Sequence, residues 1–477
     1  MPRFVVLRVA RHLRRAQGAL PARTVRIPPR QLRRVADLSV PIAISMLSFG
    51  AMTMVDTLLV GHIGAGDLAA VGVGGTVALA LLAFSTGIFR LLKLHIAREV
   101  GNGNPRGAAN VVGAGLLLAP LLGVLTFALG HALSPWLGVL AGEANQAKTT
   151  TYFLVRLATA PVILLNVVLR EARHGQGDSR TAMRAALLAN SINLAADVFF
   201  LYGLGLGVFG AALATWAAAL SEVGFLARAQ RTVDFDWRSA AKKARELFAV
   251  GLPSGAQNFF EMGAAALLGI LIARTGALEV ASHQVTGQLA QLSLIPSQAI
   301  SEAGAVLAAR AMGAGQRSRV RLVGRSALVL ASSWALFCLL LFLVAGPALA
   351  KGMSSDRWVQ AIAGKLVVLA GIVHFVNAPN QVARGMLRGV GDIRAPAFFS
   401  VGLAWSITLP LAWYLAIERW MGAMGGWIGL GFEVLVGAML FWMRFEADCA
   451  GGCWKAALAH VVPVRRRRNC RRTGFAT

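Results

Sequence analysis

Six carboxylates stand inside runs of apolar residues: Asp56, Asp197, Glu222, Glu261, Glu302 and Glu433. A carboxylate in hydrocarbon costs about 2.5–3.5 kcal/mol on insertion scales, so it faces a cavity, a partner or a transported ion. A carboxyl group held in such surroundings can take up and release a proton near neutral pH, as a transporter coupled to an ion gradient requires. Asp56 lies in the outer third of the first apolar run. Asn193 and Asp197 are four residues apart, hence on one helical face, where the amide can orient the carboxylate. Glu261 follows Phe259-Phe260 in the middle of the seventh run. Arg156 is the one clear cation well inside a run, so ion pairing accounts for only one or two of the acids. Glu222 and Glu433 read as structural. The others predict a cavity for cations, protons included.

A second pattern lies in the eighth run. Gln284, Gln288, Gln291, Gln298 and Glu302 recur at spacings that place them along one helical face. Interhelical hydrogen bonding is the competing reading of a polar stripe. Five members reaching across the bilayer exceed that need and predict a water-accessible wall. His283 beside the stripe reads as a packed or interfacial histidine. There is no phosphate-binding loop and no cluster of His, Cys and Asp at metal spacing. No metal and no cofactor is therefore expected beyond H⁺ or Na⁺ as coupling ion. Of the four cysteines, Cys338 lies in an apolar run and Cys449, Cys453 and Cys470 in a basic tail, so neither a disulfide nor a zinc site is expected.

These residues need helices to position them. The 477 residues are 56% hydrophobic and only 14% charged, against about a quarter charged in a soluble domain. That excludes a soluble enzyme and a disordered chain, and runs of this kind exclude the alternating strands of an outer-membrane barrel. The fold class is all-α integral membrane, with twelve transmembrane helices at 38–61, 68–92, 109–133, 150–170, 182–204, 206–228, 247–273, 280–308, 322–349, 360–388, 395–417 and 425–446. An even number puts both termini on one side. Lys and Arg gather in the loops of that side, which makes it cytoplasmic. The surplus of 47 Lys and Arg over 21 Asp and Glu thus marks membrane topology, and no nucleic-acid partner is expected. Residues 1–36 lack an uninterrupted apolar core and do not read as a signal peptide.

The chain divides into a basic N-terminal tail (1–37), a six-helix lobe (38–228), a cytoplasmic linker (229–246), a second six-helix lobe (247–446) and a basic C-terminal tail (447–477). The lobes repeat each other. Pro41 matches Pro253, Gly101 matches Gly313, Asn166 matches Asn380, and Gly177-Asp178 matches Gly391-Asp392. Equal even halves share one orientation, so the two lobes are pseudo-symmetric about an axis along the membrane normal, with the substrate cavity between them. Pro41 is the expected hinge of the first helix.

With those residues placed, the chain resembles the multidrug and toxic compound extrusion (MATE) family. Pro41, then Val55-Asp56-Thr57 through Val60-Gly61-His62 and Gly64, then Leu68-Ala69-Ala70-Val71-Gly72, is similar to the first-helix signature of that family. Gly177-Asp178, Asn190, Asn193, Asp197, Gly203 to Gly210 and Ala211 to Thr215 resemble its helix 5–6 pattern, Gly251-Leu252-Pro253 with Glu261 its helix 7, and Gly385-Met386-Leu387-Arg388-Gly389 with Gly391-Asp392 its helix 10–11 turn. The resemblance covers about residues 38–446. It implies two lobes around a central cavity and export of organic, often cationic, compounds against H⁺ or Na⁺. It also implies that Asp56, Asn193 and Asp197 form a first-lobe cation site, with Glu261 as the second-lobe acid. Two features depart from the pattern. Asn377 stands where many members carry an aspartate, which favours H⁺ over Na⁺ as coupling ion. Arg90, Lys93, His95 and Arg98 stand where small or apolar residues are usual.

The expected protein is therefore a cation-coupled antiporter working by alternating access, a monomer and not an enzyme, with a small-molecule substrate and the lipid bilayer as partners. It would be a multi-pass protein of a bacterial inner membrane with both termini cytoplasmic. Two other readings carry different requirements. A lipid-linked saccharide flippase of the same superfamily would have a basic cavity. An integral-membrane lipid-modifying enzyme would need a catalytic cluster near one interface.

Overall fold

The computed structural model describes residues 27–62, 65–137, 146–230 and 235–449. Residues 1–26 of the basic N-terminal tail, Gly64, and the C-terminal tail from 450, with Cys453 and Cys470, lie outside them. The described residues form an all-α membrane protein. Eleven helices are long and apolar enough to cross a bilayer, and a bent pair makes the twelfth span. In chain order they are α1 (Pro29–Gly61), α2 (Ala70–Gly101), α3 (Pro105–Trp136), α4 (Gln146–Ala158 with Ala160–Gln176), α5 (Ser179–Gly203), α6 (Gly207–Ala229), α7 (Trp237–Ala273), α8 (Ala277–Gly313), α9 (Arg317–Met353), α10 (Arg357–Val390), α11 (Arg394–Glu418) and α12 (Gly422–Cys449).

Several helices outrun their apolar stretches. α1 begins at Pro29 rather than 38, and α7 at Trp237 rather than 247. Hydropathy marks only the part in hydrocarbon, about 30 Å, whereas a helix of 37 residues is roughly 55 Å long. The charged extension of α7 holds because Asp236 accepts from the backbone N–H groups of Arg238 and Ser239, which have no partner within the helix. The bend in α4 is 42°. Pro161 has no N–H for the helical ladder, and the Thr159 hydroxyl donates to the Arg156 carbonyl there.

The repeated Gly-Asp pairs make equivalent turns. Gly177 (φ +86°) ends α4 and Gly391 (φ +101°) ends α10, in a conformation that favours glycine. The next residue starts the following helix: Asp178 Oδ1 accepts from Thr181 N–H at 3.2 Å, and Asp392 Oδ1 from Ala395 N–H at 3.3 Å.

The lobes, α1–α6 and α7–α12, meet reciprocally, α1 on α8 and α7 on α2. The face from which α1 starts, called here the terminal face, is sealed. A cluster rich in alanine joins Val35, Leu38 and Ile42 of α1 to Ala299, Ala303 and Ala308 of α8, small residues that let helices approach closely. A Cβ on Gly101 would run into the Arg310 carbonyl, and one on Gly313 into the Arg98 carbonyl. Arg98 Nη2 donates to the Val390 carbonyl at 3.2 Å, and Arg310 Nη2 to the Gln176 carbonyl at 2.7 Å. Each lobe thus caps a helix C-terminus of the other. The pairs of Arg90 and Lys93 with Glu302, of Lys243 with Glu99, and the bond from Asn258 Nδ2 to the Ala83 carbonyl also join the lobes between mid-span and this face. Toward the opposite face, α1 and α8 leave Thr53, Thr57, Gln284, Gln288 and Gln291 exposed.

Candidate functional site

α1 and α5 bring Asp56, Asn193 and Asp197 together. Asn193 Nδ2 donates to Asp197 Oδ2 at 2.6 Å, and the Asp56 and Asp197 carboxyl groups lie within hydrogen-bonding reach. Two carboxyl groups this close repel each other when both are ionised, which a shared proton or a nearby cation relieves. Asp56 Oδ1 is buried without a hydrogen-bond partner. The two helices are tied by Asn190 Nδ2 to Ser48 Oγ at 2.9 Å and by the Tyr202 hydroxyl to the Leu59 carbonyl at 2.9 Å. Directly after Asp197, α5 widens into a π turn over Val198–Gly203, a feature frequent at functional sites. Arg156 of α4 is an electrostatic neighbour of Asp56, so the one cation noted inside the spans stands beside this pair.

The second-lobe residues are arranged differently. Glu261 is paired with Arg384 at 2.6 Å and accepts from Gln257 Nε2 at 2.9 Å, while Arg388 Nη2 donates to Gln257 Oε1 at 3.0 Å. Its charge is already matched. Asn377 accepts from Asn380 of its own helix at 3.2 Å. Glu302 does not extend the glutamine stripe as a free wall. It is paired with Arg90 at 2.7 Å and Lys93 at 2.6 Å across the lobe seam, and Lys93 also meets Glu171 at 2.7 Å. Gln284, Gln288 and Gln291 are exposed and Gln298 is half-buried, so the stripe runs from the open half into the sealed one. Pro41 is buried within an unbroken α1, and the Ser45 hydroxyl donates to its carbonyl at 2.9 Å. Glu222 pairs with Arg170 at 2.7 Å, and Glu433 accepts from the Thr408 hydroxyl.

One expectation is corrected here. Arg156 is not the one cation facing the acids inside the spans, because Arg90 and Lys93 pair with Glu302, Arg170 with Glu222 and Arg384 with Glu261. Sequence reading missed Glu171, one residue past the expected end of helix 4, and gave Lys93, one past that of helix 2, no partner. The signal was present, since Arg90 and Lys93 stood out as residues unusual for their positions.

Twelve helices in two interlocked lobes, with a pair of touching acids inside one of them, define a membrane transporter and not an enzyme. Residues 41–199 and 253–414 match the MatE family, the two segments starting at the equivalent prolines Pro41 and Pro253. The chain belongs to that family. It is 28% identical over 435 residues to a probable multidrug resistance protein NorM of Idiomarina loihiensis, covering 87% of this chain and 94% of that one. It is 26% identical to the multidrug resistance protein MdtK of Edwardsiella ictaluri, over 87% of this chain and 95% of that one. A MOP superfamily transporter from Pyrococcus furiosus shares the fold with a TM-score of 0.82 at 23% identity, over 88% of this chain and 96% of that one. A multidrug resistance MATE family transporter solved in an outward-facing conformation gives 0.79 at 22% identity, over the same shares of each chain.

Proposed function

We propose that the protein is a proton-coupled antiporter that exports organic compounds from a bacterial cell by alternating access, with the Asp56–Asp197 pair and Asn193 as its coupling site. The observation that carries this reading is the contact between two carboxyl groups inside the first lobe. Glu261 is matched by Arg384 and Asn377 carries no charge, so neither offers a free carboxylate to a metal cation, which supports H⁺ over Na⁺. Multidrug resistance proteins among the relatives support organic compounds as substrates. Glu261 and Glu302 are matched by arginine and lysine, so a cationic group on the substrate would depend on the first-lobe acids. The terminal face is cytoplasmic in this reading, which makes the described state open toward the cell exterior. Ethidium efflux from proteoliposomes tests the proposal. Efflux should follow an imposed pH gradient and ignore a Na⁺ gradient; the reverse dependence would refute proton coupling.

A further inference from the structure

At the seam where α2 meets α7 and α8, the charges do not balance. Four cations, Arg90, Lys93, Arg384 and Arg388, stand with three carboxylates, Glu171, Glu261 and Glu302. Each carboxylate has its cation: Lys93 joins Glu171 to Glu302, Arg90 reaches Glu302, and Arg384 reaches Glu261. Arg388 has no such partner. Among the described residues it makes no ion pair; its Nη2 donates to the neutral Gln257 amide at 3.0 Å, and its Nε is buried without a partner. Asp392, four residues on, is already held by Arg444 at 2.6 Å, and the nearby Arg170–Glu222 pair is neutral in itself. One positive charge is therefore left over beside Lys93, whose side chain is only 5% exposed. An unmatched charge in such a place is strongly unfavourable.

A small cavity lies at that spot, its wall including Arg90, Lys93, Ser254, Glu302 and Arg388. The space open to an occupant's centre is about 10 Å³, room for one water or one monatomic ion. Ser254 is buried and adds a hydroxyl to the two guanidinium groups and the ammonium. The one carboxylate on the wall, Glu302, already carries two cations. A metal cation would be repelled here. Phosphate, or the carboxylate of an organic compound, is too large. A water fits but leaves the surplus charge unanswered. A monatomic anion meets both the size and the charge.

We propose that this cavity binds a single halide, chloride in a cell, held by Arg388, Arg90 and Lys93 with the Ser254 hydroxyl. Because α2 belongs to one lobe and α7, α8 and α10 to the other, the ion strengthens the sealed side and must leave when the seam parts. The site is separate from the Asp56–Asp197 pair and does not depend on which cation drives transport.

The test uses the full chain in detergent, in a buffer whose anion is gluconate, too large for the cavity. Equilibrium dialysis against radiolabelled chloride should show saturable binding of one ion per chain. The melting temperature should rise with chloride but not with gluconate at equal ionic strength. Arg388→Gln should lose both effects and, having removed the unmatched charge, should melt higher than wild type in gluconate. Arg388→Lys keeps the charge and should keep the binding, weakened about tenfold by the loss of a charge-assisted hydrogen bond. Ser254→Asp places a fixed carboxylate beside Arg388; it should exclude chloride and raise the melting temperature in gluconate, which preserves the test should Arg388→Gln not fold. Arg274→Gln, at an exposed position on α7, should bind chloride as the wild type does. Absence of saturable chloride binding overturns the proposal, as does an equal rise of the melting temperature in chloride and gluconate. Chloride binding that survives Arg388→Gln or Ser254→Asp overturns its assignment to this cavity.

Discussion

Asp56 and Asp197 are the residues on which a single proton changes the character of the first lobe. With the proton, the pair is a hydrogen-bonded carboxyl and carboxylate that share one negative charge, oriented by Asn193. Without it, two negative charges share an apolar setting beside Arg156, and an incoming ligand or rearrangement must answer them. Asp56→Asn and Asp197→Asn should therefore each abolish gradient-driven efflux while expression and melting temperature stay close to wild type; efflux measured in proteoliposomes at wild-type rate would remove that residue from the coupling role. Glu261 poses the opposite case. Its partner Arg384 lies 2.6 Å away, so Glu261→Gln leaves a buried guanidinium unmatched and should cost about 3–5 kcal/mol of stability. Removing both charges in Glu261→Gln/Arg384→Gln should restore most of the loss and retain efflux. Thermal denaturation of the two variants, read with their efflux, distinguishes an ion pair from a coupling acid. These acids were legible as residues out of place in apolar runs. Their partners were not, because Glu171 and Lys93 fall just past the ends that hydropathy assigns, and because Arg384 reaches Glu261 from a distant helix.

The helices show why the repeat in the sequence matters. Gly101 and Gly313, read as a matched pair, turn out to face each other's lobes at one crossing point, where neither backbone leaves room for a methyl group. Gly101→Ala should destabilise the protein by about 1–3 kcal/mol, the usual cost of overpacking. Gly287→Ala, in the open half of α8 with nothing within 4 Å of the added carbon, should be neutral or gain a few tenths, since alanine is the better helix former. Differential scanning fluorimetry separates the two. The glutamine face makes a related prediction in a cysteine-free background. Gln284→Cys and Gln288→Cys should react with a membrane-impermeant thiol reagent, and Ala290→Cys, buried at 5% exposure, should not. Equal protection of all three would leave the stripe as hydrogen-bonding surface between helices. The twelve spans and the two lobes were legible because an apolar run needs only counting. The charged ends of α1 and α7 were not, since they lie outside hydrocarbon and are held by caps such as Asp236 and by packing on the other lobe.

Taken whole, the molecule is sealed on one side and parted on the other. The seal is built twice over, by the arginine caps that each lobe places on the other and by the Glu171–Lys93–Glu302–Arg90 chain across the seam. Opening that side exposes these charges to water and breaks the caps, so free energy for the change must come from what binds elsewhere. A bound ligand shifts such an equilibrium only through its different affinities for the two states. In this account the proton on the Asp56–Asp197 pair and the exported compound compete for the first lobe, which links two events that the sequence shows only as separate residues. The direct measurement is the proton balance of substrate binding. Ethidium added to weakly buffered, detergent-solubilised protein with a pH indicator should release about one proton per substrate bound, and Asp56→Asn should bind ethidium with no release. Binding by the wild type without proton release, or the same release from Asp56→Asn, would contradict the account.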